Sequence, residues 1–343
     1  MRKLLNVLYV TQPDSYLAVD GETILVKVEK EIRFRIPIHN LEGIICFGWA
    51  GASPKLMSLC CERGVALSFL TSYGSFQGRV TGKISGNVLL RRAQYRWADD
   101  KDITLRMAKR FVQAKISNCR ALILRGRRDH QDCIDDESMD KSANRMLYAL
   151  KRLDNALTCD EVRGIEGESA HEYFSVFDQL VLSQKESFYL DGRHRRPPTD
   201  YLNSLLSFLY TLLSHDVTAA LESVGLDPQV GFLHRERPGR QSLALDLMEE
   251  MRAHFADRLA ISLVNRNQIN GSGFLIKENG AVMMEDNTKK EILMAWQKRK
   301  TEEITHPYLD EKIPFGLVPY VQALLLARHV RGDLEDYPPF FWK

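Results

Sequence analysis

The chain has 343 residues, 44% of them hydrophobic and 27% charged, a composition that excludes a disordered or low-complexity scaffold and leaves room for two domains of ordinary size. Lys and Arg number 47 against 45 Asp and Glu, giving a formal charge of +2 and a pI near 8.1. A global basic field is therefore excluded, and any affinity for nucleic acid must come from local patches.

Residues 1 to 85 are β-rich and broken by turns. "LLNVLYV" is followed by "YLAVDGETILVKV", with an Asp20-Gly21 hairpin signal, and by the alternating "EIRFRIPI". One short helix interrupts them: Ser53 is a good N-cap before an N1 proline, Pro54, and "KLMSLCCERG" runs to a Gly64 stop. The opening "MRKLLNVLYVTQPDSYL" carries too short an apolar run for a signal segment or a membrane span, which makes the cytoplasm the expected location. Cys46, Cys60, Cys61, Cys119, Cys133 and Cys159 form no C-x-x-C pair, so buried free thiols are expected in place of a zinc ribbon or a disulfide framework.

Residues 86 to 100 lose the alternation and read as a linker. From 101 onward helical periodicity dominates. A long amphipathic helix over 103–128 is followed by helices near 141–153, 165–183, 200–223, 242–265, 287–300 and 315–331, with one β-hairpin at "GFLIKENGAVMM" around Asn279-Gly280. The predicted fold is α+β in two domains: a small amino-terminal β-sheet domain with one short helix (1–85), a linker (86–100), and a larger, mainly α-helical domain carrying one hairpin (101–343).

Polar residues on apolar helices carry the chemistry. In "GFLHRERPGRQSLALDLMEEMR" the residues Leu243, Leu247, Met248, Met251, Phe255 and Leu259 share one side of a helix, and Asp246 and Glu249 fall on the other. Two carboxylates three residues apart repel unless a cation lies between them. A solvated face with Arg252 or Arg258 as local partners is the simpler account. Glu166, between Gly164 and Gly167 at the predicted start of a helix, opens a stripe through Ala170 and Tyr173, and Asn203, Ser207 and Tyr210 form another; buried polar stripes need partners. Glu, His234, Asp and Glu on separate segments could converge as oxygen and nitrogen ligands, with carboxylates suiting Mg²⁺ and an added imidazole favouring Mn²⁺ somewhat. Basic clusters at Arg235, Arg237 and Arg240, at Arg193, Arg195 and Arg196, along 106–128 and at "QKRK" (297–300) are candidate phosphate contacts.

"RGIEGESAHEYF", "DYLNSLLSFLYTLL", "VGFLHRERPGRQSLALDLMEE" and the tail "IPFGLVPYVQALLLARHVRGDLEDYPPFFWK" together resemble the CRISPR-associated spacer-acquisition integrases, the Cas-one endonucleases, over essentially the whole chain, with wording closest to subtype I-C members. The resemblance implies that Glu166, His234, Asp246 and Glu249 are the catalytic, metal-binding residues for Mg²⁺ or Mn²⁺. Many members carry Asp where this chain has Glu249 followed by Glu250, so either glutamate is a candidate, and the i+3 spacing favours Glu249. It also implies an amino-terminal domain that pairs two protomers. The implied partners are double-stranded DNA, a small ferredoxin-like CRISPR adaptor forming a heterohexamer, and a fragment-trimming CRISPR nuclease. DNA contacts are expected at Arg235, Arg237, Arg240, Asn203, Tyr210, Arg195 and Arg196. The implied reaction joins the 3′-hydroxyl of a captured fragment to the repeat boundary of a CRISPR array. A stand-alone metal-dependent nuclease on branched DNA or RNA and a non-catalytic DNA-binding scaffold are the alternatives.

Overall fold

The computed structural model describes residues 6–72, 74, 76–82, 87–194 and 197–342. The chain divides into two compact units, 1–86 with 284–302 and 87–283 with 303–343.

The first unit holds strands β1 (Asn6–Val10), β2 (Tyr16–Asp20), β3 (Thr23–Val28), β4 (Glu31–Pro37), β5 (Leu41–Phe47), β6 (Gly51–Ala52), β7 (Ala66–Leu70) and β8 (Phe76–Val80), with helix α1 (Pro54–Arg63). They form two four-stranded sheets, ordered β1-β5-β7-β8 and β4-β3-β2-β6. Chain β2-β3-β4 is an antiparallel meander, and the β2–β3 turn is made at Gly21, whose φ of 57° is cheap only for glycine. As the sequence predicts, Ser53 accepts a hydrogen bond from the Leu56 amide at the head of α1, and Gly64 ends the helix with φ 68°. Leu17, Ile24, Ile38, Ile44, Leu56 and Leu67 are fully buried between the sheets and α1.

The second unit is built on helices α2 (Val88–Asp99), α3 (Lys101–Asp129), α4 (Asp136–Asp154), α5 (Cys159–Phe177), α6 (Tyr201–Val224), α7 (Ser242–Met248) and α8 (Arg258–Asn265). The predicted hairpin follows as β9 (Phe274–Ile276) and β10 (Val282–Met284), turning at Gly280 with φ 76°. Helix α9 (Asp286–Thr301) packs within the first unit; then β11 (Glu303–Thr305), β12 (Lys312–Pro314) and α10 (Val318–Arg331) return to the second. Helices α3, α4 and α5 pack on one another, and α6 packs on α7 and α10. Helix α6 is long and apolar enough by length and composition to cross a membrane, but 67% of that stretch is buried against the rest of the chain, so it reads as the core helix of this unit.

The α+β organisation read from the sequence is present, with four differences. Residues 88–99, read as linker, form α2, because Gln94 on that helix is completely buried and ties down the chain at 227–230. Helix α9 belongs with the first unit although periodicity alone places it in the second. A second short strand pair, β11–β12, joins the predicted hairpin. The predicted helix over 242–265 is interrupted: α7 ends at Met248, a π turn occupies Ala253–Asp257, and α8 begins at Arg258. The π turn inserts a residue into the helical ladder and turns the following side chains relative to an unbroken helix.

Candidate active site

Residues 231–241 form a loop leading into α7, fixed by one side chain. Asp246 is completely buried. Its Oδ2 accepts the backbone amides of Phe232 (2.6 Å) and Leu233 (2.9 Å), and its Oδ1 accepts the His234 amide (2.9 Å) and His234 Nδ1 (2.7 Å). This packing needs a glycine at 231, where a Cβ would stand 2.7 Å from Asp246 Oδ2 and 2.7 Å from the Ser242 backbone. From the other side Gln94 Nε2 donates to the Asp227 and Val230 carbonyls, both at 2.8 Å, and its Oε1 accepts the Asp227 amide at 2.9 Å. Arg163 on α5 donates to the Leu233 carbonyl at 2.8 Å. With Asp246 as acceptor, Nδ1 of His234 carries the ring proton and Nε2 presents a lone pair.

That lone pair faces Glu249, whose Oε1 lies 3.9 Å from Nε2. Glu249 is 3% exposed. The Arg252 guanidinium pairs with its Oε1 at 3.0 Å, and the Lys115 ammonium on α3 stands 2.9 Å from its Oε2. The same ammonium pairs with Glu166 on α5. Burial alone would raise the Glu249 carboxyl, but the Arg252 and Lys115 charges outweigh it and hold its pKa at about 2. Lys115 is likewise opposed by burial, yet Glu249 and Glu166 push its pKa above the ordinary lysine value. The side chains of Glu166 and His234 are 26% and 21% exposed, so the centre opens to the surface on their side.

Three of the four predicted site residues thus converge: Glu166, His234 and Glu249, from α5, the 231–241 loop and the end of α7. Asp246 sits behind them with every carboxylate oxygen used, which makes it the group that orients His234. Glu250 points away and is completely buried. Its carboxylate accepts Tyr337 Oη (2.8 Å), Gln322 Nε2 (2.9 Å) and the Phe340 amide (2.8 Å), anchoring the irregular segment after α10. Of the two candidate glutamates, Glu249 is thus the one beside Lys115 and His234.

Glu166 lies in the middle of α5, not at its start, because Thr158 caps that helix through the Glu161 amide. A Cβ on Gly164 or Gly167 would meet nothing within 4 Å, so these glycines keep the surface beside Glu166 low rather than admitting a neighbouring backbone. Among the described residues, no three His, Cys, Asp or Glu side chains stand close enough to hold a metal ion as they are placed. The reason is local: the Lys115 ammonium occupies the space between the two glutamates. The donor set still suits a hard divalent cation, with two carboxylates held against a buried positive charge and an imidazole whose proton is fixed on the far nitrogen.

The polar stripes have partners that the sequence does not reveal. Asp257, at the end of the π turn, is buried and accepts the hydroxyls of Tyr173 (2.8 Å) and Tyr210 (2.6 Å). Burial raises its carboxyl to about 6 against the opposing effect of those hydroxyls and of Arg252 and Arg193. The guanidiniums of Arg252 (4.8 Å) and Arg193 (5.2 Å) both stand over the Tyr210 ring. A cavity of about 20 Å³, lined by Lys115, Cys119, Tyr173, Tyr210, Arg252 and Asp257 among others, adjoins this cluster. The sequence alone does not single out Lys115, Arg252 and Asp257 as site residues; the only signal is charge on otherwise apolar helical stretches.

The expected DNA contacts divide. Asn203 is fully buried and its amide holds Asp200, the Gly192 carbonyl and Arg193, so the structure removes it from the DNA-facing set. Tyr210 is likewise turned inward to Asp257. Arg235 and Arg237 are exposed, Arg235 pairing with Asp160 at 2.7 Å, and Arg240 is half-buried. Arg195 and Arg196 lie outside the described residues. The basic helix α3 is less available than its composition suggests: Lys109, Arg110, Lys115, Arg120, Arg125, Arg127 and Arg128 bond to Asp154, Asp336, the site carboxylates, Ala143, Asp129, Asp136 and Asp140, and Asp129 respectively.

The family model described as "CRISPR associated protein Cas1" matches residues 8–298. Over 343 residues the chain is 48% identical to "CRISPR-associated endonuclease Cas1 1" of Chlorobaculum tepidum, covering 100% of both. In fold it is similar to a "Casposase bound to integration product" (TM-score 0.84, 24% identity, 97% of this chain and 92% of that one). A "Cas6-RT-Cas1--Cas2 complex" is similar as well (TM-score 0.84, 21% identity, 100% of this chain and 36% of that one).

Proposed function

The chain belongs to the CRISPR-associated Cas1 family, and we propose from that premise that it is a divalent-metal-dependent DNA integrase. In this reading it joins the 3′-hydroxyl of a captured fragment to a phosphodiester at the repeat boundary. One observation carries the reading: Glu166, on α5, and Glu249, at the end of α7, meet at one buried cation beside Nε2 of His234. Mg²⁺ or Mn²⁺ would be held by Glu166, His234 Nε2 and Glu249. When bound it would polarise the scissile phosphate and lower the pKa of the attacking hydroxyl. Asp246 keeps the His234 proton on Nδ1 and fixes the loop; Arg252 holds Glu249 in place. Arg235, Arg237 and Arg240, on the same loop as His234, would neutralise backbone phosphates and orient the duplex without reading bases.

The reaction exchanges one phosphodiester for another: the new P–O bond forms as the repeat strand leaves with a 3′-hydroxyl, so no nucleotide hydrolysis is required. The partners proposed are double-stranded DNA, a second protomer, a small ferredoxin-like adaptor giving a heterohexamer, and a trimming nuclease, acting in the cytoplasm. Exposed Tyr16, Ile32, Phe34 and Trp49 in the β-rich unit support protomer pairing there. The similarity in fold to a chain of a Cas1–Cas2 complex supports the adaptor.

The test is a strand-transfer assay with purified protein, the adaptor, Mn²⁺, a short duplex and a plasmid carrying a repeat. Glu166→Ala, His234→Ala and Glu249→Ala should each abolish joining while DNA binding persists. Robust joining by two of the three would refute the assignment, and cleavage without joining by the wild type would favour a stand-alone nuclease.

A further inference from the structure

Lys115 is a charged residue in an unusual place. Its side chain is 10% exposed and its ammonium touches both Glu166 and Glu249, while Arg252 takes the other oxygen of Glu249. Two carboxylates, Glu166 and Glu249, face the two cations, and Asp246 behind His234 adds a third, leaving one net negative charge around the centre. A divalent ion entering without other change would turn that into one net positive charge in a poorly hydrated site, where like charges repel strongly. One phosphodiester would restore neutrality. Lysine is also suited to yield the position, because its charge sits on a flexible four-carbon stem, whereas the Arg252 guanidinium is packed against the Tyr210 ring.

We infer that Lys115 is an internal counter-cation that holds Glu166 and Glu249 together in the metal-free protein and makes metal binding conditional on DNA. The ammonium leaves the space between the two glutamates when a phosphodiester arrives to pair with it, and the ion then takes its place. This rests on the metal-site reading above. The protein alone binds a divalent ion weakly, and ion and DNA strengthen each other's binding, because by linkage each must favour the other equally.

Mn²⁺ binding is measured by calorimetry and by loss of the free-ion EPR signal, with and without a short duplex, for the wild type, Lys115→Met, Lys115→Gln and Glu249→Gln. Circular dichroism follows folding with and without Mn²⁺. Without DNA, Lys115→Met and Lys115→Gln should bind Mn²⁺ at least about tenfold more tightly than the wild type, since a competing like charge has gone. The duplex should tighten Mn²⁺ binding by the wild type far more than by either variant. Equal or weaker Mn²⁺ affinity in the Lys115 variants would overturn the inference, as would failure of both to fold even with Mn²⁺, which would assign Lys115 to the fold. Glu249→Gln separates the two levels. If it binds Mn²⁺ like the wild type, the metal-site reading fails. If it loses Mn²⁺ while the Lys115 variants are unchanged, only the counter-cation inference fails.

Discussion

Asp246→Asn isolates orientation from ligation. The carboxylate accepts four hydrogen bonds, two on each oxygen, from three consecutive backbone amides and His234 Nδ1. Asparagine keeps one oxygen, which serves the Phe232 and Leu233 amides, and turns its NH₂ toward the His234 amide and ring. Two charge-assisted bonds are lost, each worth roughly 1.5–3 kcal/mol, so the metal-free protein should lose about 3–5 kcal/mol after some relaxation. The ring has one way to recover a bond: it accepts at Nδ1 and moves its proton to Nε2, the nitrogen proposed to face the metal. Loss of such an orienting partner should weaken Mn²⁺ binding about 10–100-fold without abolishing it. Thermal or urea denaturation in EDTA and Mn²⁺ calorimetry measure the two effects. Stability and affinity both unchanged would refute the orienting role. Affinity abolished as completely as in Glu249→Gln would make Asp246 a ligand itself.

Two further outcomes follow from the same geometry. Burial raises the Glu250 carboxyl from 4.5 to about 7, despite hydrogen bonds from the Phe340 amide, Tyr337 and Gln322. The folded chain thus keeps a proton that the unfolded chain loses between those pH values, so the associated stability is full below about pH 4.5 and gone above about pH 7. A span of about 2.5 pH units is worth about 3 kcal/mol. Glu250→Gln carries no charge and should exceed the wild type in stability by up to that amount at pH 8, while matching it near pH 4.5; parallel stability–pH curves would contradict the assignment. On the DNA side, Arg237→Ala and Arg240→Ala should weaken duplex binding similarly across sequences and reduce the salt slope by about one each. Unchanged slopes would remove those side chains from the phosphate contacts.

How much was legible in the sequence depended on whether the signal was local. The head and stop of α1 follow from Ser53, Pro54 and Gly64, because capping is chemistry between near neighbours. Periodicity finds α3, α4 and α9, since each buries one recurrent face, and the long apolar run between Asp200 and Gly225 finds α6. It fails at 242–265, where all sides are buried and no polar stripe reports the π turn. It also cannot say which unit α9 joins, or that α2, in which charged and apolar residues alternate without a clear stripe, secures the loop at 227–230 through Gln94. Family resemblance supplied Glu166, His234, Asp246 and Glu249 together; it did not divide them into three groups that face a cation and one that serves another. Basic residues misled most, because a lysine or arginine in a sequence does not announce whether its partner is solvent, phosphate or a carboxylate on the next helix, as α3 illustrates.

The π turn at Ala253–Asp257 bears on how this stretch tolerates change in length. It holds one residue more than an α turn, and that residue is what brings Asp257 round to Tyr173 and Tyr210. Deleting a residue here would leave a regular helix that any propensity scale would favour, with every later position rotated by about 100°. Anyone transplanting the 242–265 segment onto another scaffold, or aligning it with a shorter relative, must therefore carry the extra residue as part of the motif: regularising the helix would discard the acceptor that both tyrosines require.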